Sequence, residues 1–224
     1  MKKIECIIMD WAGTAVDYGC FAPVAAFIEA FAEKGLEIDV VQTRKPMGLP
    51  KIQHIRELLS MPEVNEQFTA RYQRAWTEED VAELNRLFEK HLFTSLENYT
   101  DPIPGVIPTL EKLRAEGLKI GSTTGYTREM MDVVLPAAQA KGYRVDYCAT
   151  PNLLPAGRPA PYMIFENLTK LAVSSLDAVV KVGDTIADIR EGVNAKVYSV
   201  GVILGSNEMA LTEAETKAMP AADL

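Results

Sequence analysis

Ile4-Glu5-Cys6-Ile7-Ile8-Met9-Asp10-Trp11-Ala12-Gly13-Thr14 is the stretch that decides the fold. A short apolar run that closes on a carboxylate and turns at once through glycine reads as a buried strand of a parallel sheet. Asp10 then stands at the carboxyl edge, where open α/β folds place their ligands. At that edge Asp10 is a candidate nucleophile, although in isolation the residue suits a helix-capping aspartate equally well.

Two further strand ends add to it. The run Ala178 to Val182 ends in Gly183-Asp184-Thr185-Ile186-Ala187-Asp188. Three acidic groups at neighbouring strand ends repel one another unless a cation neutralises them, and hard oxygen donors suit Mg²⁺. The run Lys119 to Ser122 continues into Thr123-Thr124-Gly125-Tyr126, hydroxyls and amides ahead of a helix where phosphate oxygens are held well. Arg158, in Pro155-Ala156-Gly157-Arg158-Pro159, supplies a guanidinium suited to bidentate contact with such oxygens.

In this order the chain resembles the haloacid dehalogenase superfamily, whose nucleophile is the first aspartate. Its phosphotransferases usually carry a second Asp two residues later as general acid, and here that position is Ala12. General acid catalysis is worth ~10²- to 10⁴-fold, so its loss points to a leaving group stabilised in another way, such as a carbanion released into an electron sink. A lysine iminium is such a sink. Lys51, in Lys45-Pro46-Met47-Gly48-Leu49-Pro50-Lys51-Ile52-Gln53-His54, is the candidate: Pro50 suits a first helical turn, and His54 follows on the same face. Both features are expected to disfavour an ammonium charge. Lys45 competes, but it precedes a proline and is expected to be extended.

The runs Asp10 to Pro23 and Lys45 to Lys51 resemble the phosphonatase branch of that superfamily in particular. The resemblance implies hydrolysis of the carbon–phosphorus bond of phosphonoacetaldehyde, in 2-aminoethylphosphonate degradation. It assigns Asp10 to attack on phosphorus, Lys51 to a Schiff base, and His54 and Met47 to its surroundings, with Gly48 allowing close backbone approach. It assigns Asp10, Asp184 and the Ala12 carbonyl to Mg²⁺, with Asp188 behind or beside them. Thr124, Thr123 and Arg158 would bind phosphonate oxygens, and Cys20 and Tyr126 would line the pocket. Family members normally run on past the region of Thr212 into a late strand and terminal helix, so an exposed sheet edge is expected here. Lys196 stands where the family usually has Gly.

Residues 19–99 carry amphipathic helical patterns and read as an inserted helical cap, with helices expected at Pro23 to Lys34, Ile52 to Met61, Glu63 to Trp76 and Glu78 to Leu96. Residues 1–18 and 100–224 alternate strand and helix. They form a doubly wound α/β core of Rossmann-like type, with strands expected at Ile4 to Met9, Lys119 to Ser122, Val145 to Ala149, Ala178 to Val182 and Val197 to Ile203. The cap would carry Lys51 and the core Asp10, with the active site between them.

Composition sets the remaining bounds. With 224 residues, 48% of them hydrophobic, the chain suffices for a core and a small second domain. A net charge of −8 disfavours nucleic acid as partner. The N-terminal apolar run is too short for a signal peptide or membrane span. Cys6, Cys20 and Cys148 lack metal spacing and suit a reducing cytoplasm. A homodimer follows from the resemblance. The alternatives are a superfamily phosphatase working without an iminium, which Ala12 and Lys51 oppose, and a catalytically silent phosphate-binding protein.

Overall fold

The computed structural model describes residues 3–47, 49 and 51–220. The chain divides into two compact units, Met1–Cys20 with Glu97–Leu224, and Phe21–Leu96. Boundaries expected after residues 18 and 99 fall close to these.

The first unit is built on five parallel strands: β1 (Cys6–Met9), β2 (Lys119–Thr123), β3 (Tyr147–Ala149), β4 (Val179–Gly183) and β5 (Tyr198–Gly201), in the order β3-β2-β1-β4-β5. Every residue of β1 is buried, as a central strand covered on both faces requires. Met9 is in register with Ser122 on one side and Val182 on the other, so Asp10 emerges level with the ends of both neighbours. The chain leaves β1 first to one side and returns to the other, which makes this edge the topological switch point. Strand β5 forms an edge of the sheet, and its Tyr198 and Val200 are exposed. All five expected strands are present; β1, β3 and β5 are shorter than expected, β2 runs one residue further to Thr123, and β4 is shifted by one residue.

Helices flank this sheet. Among them are Val106–Ala115, Arg128–Ala140, Tyr162–Lys170 and Ile186–Ala195. Asn167, buried on the third of these, is tied to β2: its side-chain nitrogen donates to the Ser122 carbonyl at 2.8 Å, and its oxygen accepts from the Ser122 N–H at 3.1 Å. No helix among the described residues is long and apolar enough to cross a membrane.

The second unit is helical: α1 (Phe21–Glu33), α2 (Val40–Arg44), α3 (Lys51–Ser60), α4 (Pro62–Tyr72) and α5 (Glu78–Ser95). Phe27 of α1 stacks on Phe88 of α5 at 4.1 Å between ring centres, and both are fully buried. Each such side chain contributes roughly 1.5–3 kcal/mol by burial. The acidic start of α5 is structural: Asp80 accepts from the Thr77 N–H at 2.8 Å and takes a two-pronged contact from Arg74 at 2.7 and 2.8 Å.

Two local expectations fail. Helix α2 escapes the sequence pattern because its five residues are too few to show periodicity; a capping box between Asp39 and Gln42 fixes it instead. Lys45 is αR (φ −52°, ψ −48°) rather than extended, despite the proline that follows. Its N–H reaches the Gln42 carbonyl at 3.3 Å, and the Met47 N–H closes the next turn on Arg44 at 3.0 Å. That hydrogen-bonded turn outweighs the steric preference of a residue before proline.

Candidate active site

The loop after β1 is folded around one carbonyl. Trp11 O accepts from the N–H groups of Thr14, Ala15 and Val16 at 3.1, 2.7 and 3.0 Å, which turns the chain back over the strand end. The Trp11 indole N–H donates to Ser122 Oγ at 3.0 Å, and the ring meets Tyr143 edge-on. Gly13 has φ +82°, and a Cβ there would lie 2.3 Å from Asp184 Oδ2. Only glycine lets this loop approach the second acidic strand end so closely.

Asp10, Asp184 and Asp188 are all buried, and each offers an oxygen within 4.8 Å of the others. Burial pushes the Asp10 carboxyl up, against the pull of Arg158. Asp184 is pushed up by burial and by the neighbouring charge of Asp10. Asp188 differs. Burial opposes its ionisation, but Arg158 and Lys181 outweigh burial and hold it down at about 2.

The hydrogen bonds separate the two later aspartates. Asp184 accepts from Thr14 Oγ1 at 3.0 Å and from the Asn207 N–H at 2.8 Å, neutral donors that orient it without neutralising it. One Asp188 oxygen caps its own helix, accepting from Thr185 Oγ1 at 2.5 Å, while the other lies 2.6 Å from Arg158 Nη1 and 2.8 Å from Lys181 Nζ. Arg158 also pairs through Nη2 with Asp10. The donors are hard oxygens drawn together at an energetic cost, so this cluster fits a divalent cation.

Thr124 is buried, its hydroxyl oxygen accepting from the Tyr126 N–H at 3.0 Å. Tyr126 is buried close enough to Asp17, Cys20 and Asp10 for their charges to add to burial in raising its hydroxyl. Cys20 is buried in a left-handed conformation, φ 53°. Ala12 pairs with Val16 in a bridge beside Asp10. Thr123 stands apart. Its hydroxyl donates to Glu191 Oε2 at 3.0 Å and accepts from Lys181 at 2.8 Å, inside the protein.

In the helical unit Lys51 opens α3, and its Nζ lies 5.6 Å from the Phe27 ring centre and 5.4 Å from that of Phe88. His54 stacks on Phe27 at 4.1 Å and is wholly buried. Burial, then the charge of Lys51, lowers His54 to about 3, so its imidazole is neutral at ordinary pH. A neutral His54 adds no charge repulsion against Lys51, and the two ring faces attract a cation. The Thr43 backbone lies against the His54 ring and weakly favours its protonated form, too little to offset burial. Met47 is half-buried; Gly48 lies outside the described residues.

A family profile for haloacid dehalogenase-like hydrolases matches residues 4–196. A Bacteroides fragilis protein named phosphonoacetaldehyde hydrolase is 88% identical over 224 residues, all of this chain and 85% of that protein. The bifunctional phosphonoacetaldehyde hydrolase/aminoethylphosphonate transaminase of Clostridioides difficile is 51% identical over all of this chain and 35% of its own length. A crystal structure of a phosphonoacetaldehyde hydrolase-like protein from Oleispira antarctica superposes with a TM-score of 0.91 at 34% identity, covering 98% of this chain and 80% of that one. The chain belongs to the phosphonoacetaldehyde hydrolase family.

Two charged residues of this family member's site escape sequence reading. Lys181 lies in the middle of β4 and Glu191 one turn beyond Asp188, both with no solvent exposure. Lys181 is hidden within a β-branched run, where a lone lysine reads as the outward position of a half-buried strand. Glu191 follows Arg190 on a helix and reads as surface charge. The one available signal is spacing: Asp188 and Glu191, three apart, share a helix face.

Proposed function

We propose that the chain hydrolyses phosphonoacetaldehyde to acetaldehyde and phosphate. The observation that carries this is the pairing of Ala12, where a general acid would otherwise stand, with a lysine that opens α3 beside a buried, neutral histidine. The 88% identical relative of that name supports it.

In this scheme Lys51 Nζ condenses with the substrate aldehyde, with loss of water, to give an iminium. His54, buried and neutral, moves the protons of that condensation. An Asp10 oxygen attacks phosphorus, and the carbon–phosphorus electrons pass into the iminium to leave an enamine. Arg158 and Thr124 orient the phosphonate oxygens. Water then cleaves the aspartyl phosphate, and protonation and hydrolysis of the enamine release acetaldehyde and Lys51. Mg²⁺ held by Asp10, Asp184 and Asp188, with the Ala12 carbonyl, would offset repulsion between anionic nucleophile and anionic substrate. The substrate is the product expected of a transaminase acting on 2-aminoethylphosphonate, the second activity named for the Clostridioides difficile relative. The functional form is a cytoplasmic homodimer that binds neither nucleic acid nor membrane.

The test is release of phosphate and acetaldehyde from phosphonoacetaldehyde with Mg²⁺, for the wild-type chain and Lys51→Ala, alongside borohydride trapping. Equal yields of both products, abolished in the variant, with a substrate adduct reduced onto the wild-type chain, are expected. Turnover that survives Lys51→Ala would instead identify a superfamily phosphatase working without an iminium.

A further inference from the structure

Arg158 faces three carboxylates. Nη2 pairs with Asp10, Nη1 lies 2.6 Å from Asp188 Oδ1, and Nε makes a longer ion pair, 3.7 Å from Glu191 Oε2, without a hydrogen bond. Of these three carboxylates, Glu191 alone lies outside the acidic cluster suited to a cation. It is fixed from behind: Thr123 Oγ1 donates to Oε2 at 3.0 Å, and Lys181 Nζ stands 3.4 Å from the same oxygen while also reaching Thr123 and Asp188 at 2.8 Å. Glu191, Lys181, Thr123 and Asp188 have no solvent exposure, whereas the Arg158 side chain keeps 11%.

Once Asp10 attacks phosphorus and Asp188 serves a cation, both lose part of their hold on the guanidinium. Glu191 does not. A buried Arg orients an anion well only while its own plane is fixed, because the fork of N–H donors is directional. We infer that Glu191, braced by Lys181 and Thr123, is a positioning residue whose charge holds the Nε side of Arg158 through a buried ion pair and so leaves the Nη edge to the phosphoryl oxygens. This rests on the reading of Arg158 as the phosphonate-binding arginine.

The experiment is a double-substitution cycle read by inorganic phosphate. Binding of phosphate in the presence of Mg²⁺ is measured by calorimetry, and as competitive inhibition where turnover allows, for the wild type, Glu191→Gln, Arg158→Lys and the pair together. Lysine has no Nε edge, so the anchor has nothing to grip in that background. Glu191→Gln is expected to weaken phosphate about tenfold when Arg158 is present, by loosening a positioned group, and less than about twofold when Arg158→Lys is already in place. Mg²⁺ affinity is expected to be unchanged. An equal loss in both backgrounds would mean that Glu191 only supports the fold, and no loss in either would mean that it does not position Arg158; both overturn the inference. If Glu191→Gln does not fold, Glu191→Asp, which keeps the charge but withdraws it from Nε, is put through the same cycle with the same expected outcomes. Phosphate binding is read without turnover, so failure of the phosphonoacetaldehyde assay and failure of the anchor are distinguishable.

Discussion

Gly13→Ala perturbs the acidic cluster without replacing any charged group. The added Cβ would lie 2.3 Å from Asp184 Oδ2 and 2.8 Å from its Cγ. Relaxed carbon–oxygen contacts lie near about 3.3 Å, so loop and carboxylate must separate by about 1 Å. Asp184 cannot rotate away cheaply, because Thr14 holds one oxygen at 3.0 Å and the Asn207 N–H the other at 2.8 Å. The left-handed backbone adds roughly 1–2 kcal/mol for a residue with a Cβ. A displacement of about 1 Å in a positioned group costs on the order of 10²-fold in rate. We expect phosphate release from phosphonoacetaldehyde to fall on the order of 10²-fold. The Mg²⁺ concentration needed for half-maximal rate should rise, and Tm should drop by about 2–8 °C. Rates titrated with MgCl₂, beside circular-dichroism melts, measure all three. A Gly13→Ala chain with wild-type rate and wild-type Mg²⁺ dependence would refute both the tight packing of this loop on Asp184 and the role of Asp184 in holding the cation.

Other outcomes follow from the same geometry. In the metal-free folded chain Asp10 and Asp184 keep protons that the unfolded chain has already lost. Stability should therefore fall as pH rises above the ordinary carboxylate value of ~4. Asp188, held at about 2, stays ionised throughout that range. Mg²⁺, which replaces those protons, should raise Tm more at pH 8 than at pH 5, and equal shifts at the two values would contradict the raised carboxyls. His54, lowered to about 3, should show no imidazole titration by NMR between pH 5 and pH 8, and a midpoint near the ordinary histidine value would refute its burial. Because the unfolded chain takes up that proton first, His54 costs stability as pH falls below ~6.5. Lys196 sits at φ 61° just past the helix Ile186–Ala195, with its N–H on Val193 and that of Val197 on Gly192, each at 3.1 Å. Lys196→Gly should stabilise the chain by about 0.5–1 kcal/mol, since glycine adopts this conformation without strain but loses more freedom on folding. Urea melts that show no gain would refute it.

Much of the fold was legible because its signals are local and redundant. Each central strand is an apolar run punctuated by Gly or Asp, and the helical unit is periodic over long stretches. Its long helices therefore fell where the pattern put them, while the five-residue α2 did not. The position of Lys196 also carried information: a residue that replaces a usual glycine occupies a left-handed helix end, the one place where that exchange costs something. What the sequence concealed was the partner of each polar group. Thr123 and Thr124 are adjacent and chemically alike, yet one hydroxyl is tied to Glu191 and Lys181 and the other to the Tyr126 backbone, because alternate residues leaving a strand face opposite ways.

The charge balance of the core site shows why Lys181 and Glu191 matter despite being illegible. Asp10, Asp184, Asp188 and Glu191 face Arg158 and Lys181, so full ionisation leaves two negative charges uncompensated in a buried setting. Protons on the raised carboxyls can supply that balance, and so can one divalent cation. The two solutions differ at Asp10. Protonated, it cannot attack phosphorus; ionised beside a cation, it can. Lys181 meets Glu191 and Asp188, and Arg158 meets both of these and Asp10, whereas the donors to Asp184 are the neutral Thr14 hydroxyl and Asn207 N–H, so the deficit weighs most on Asp184, beside Asp10 at the strand ends. A fully buried lysine in contact with Asp188 thereby helps to decide where the cation belongs.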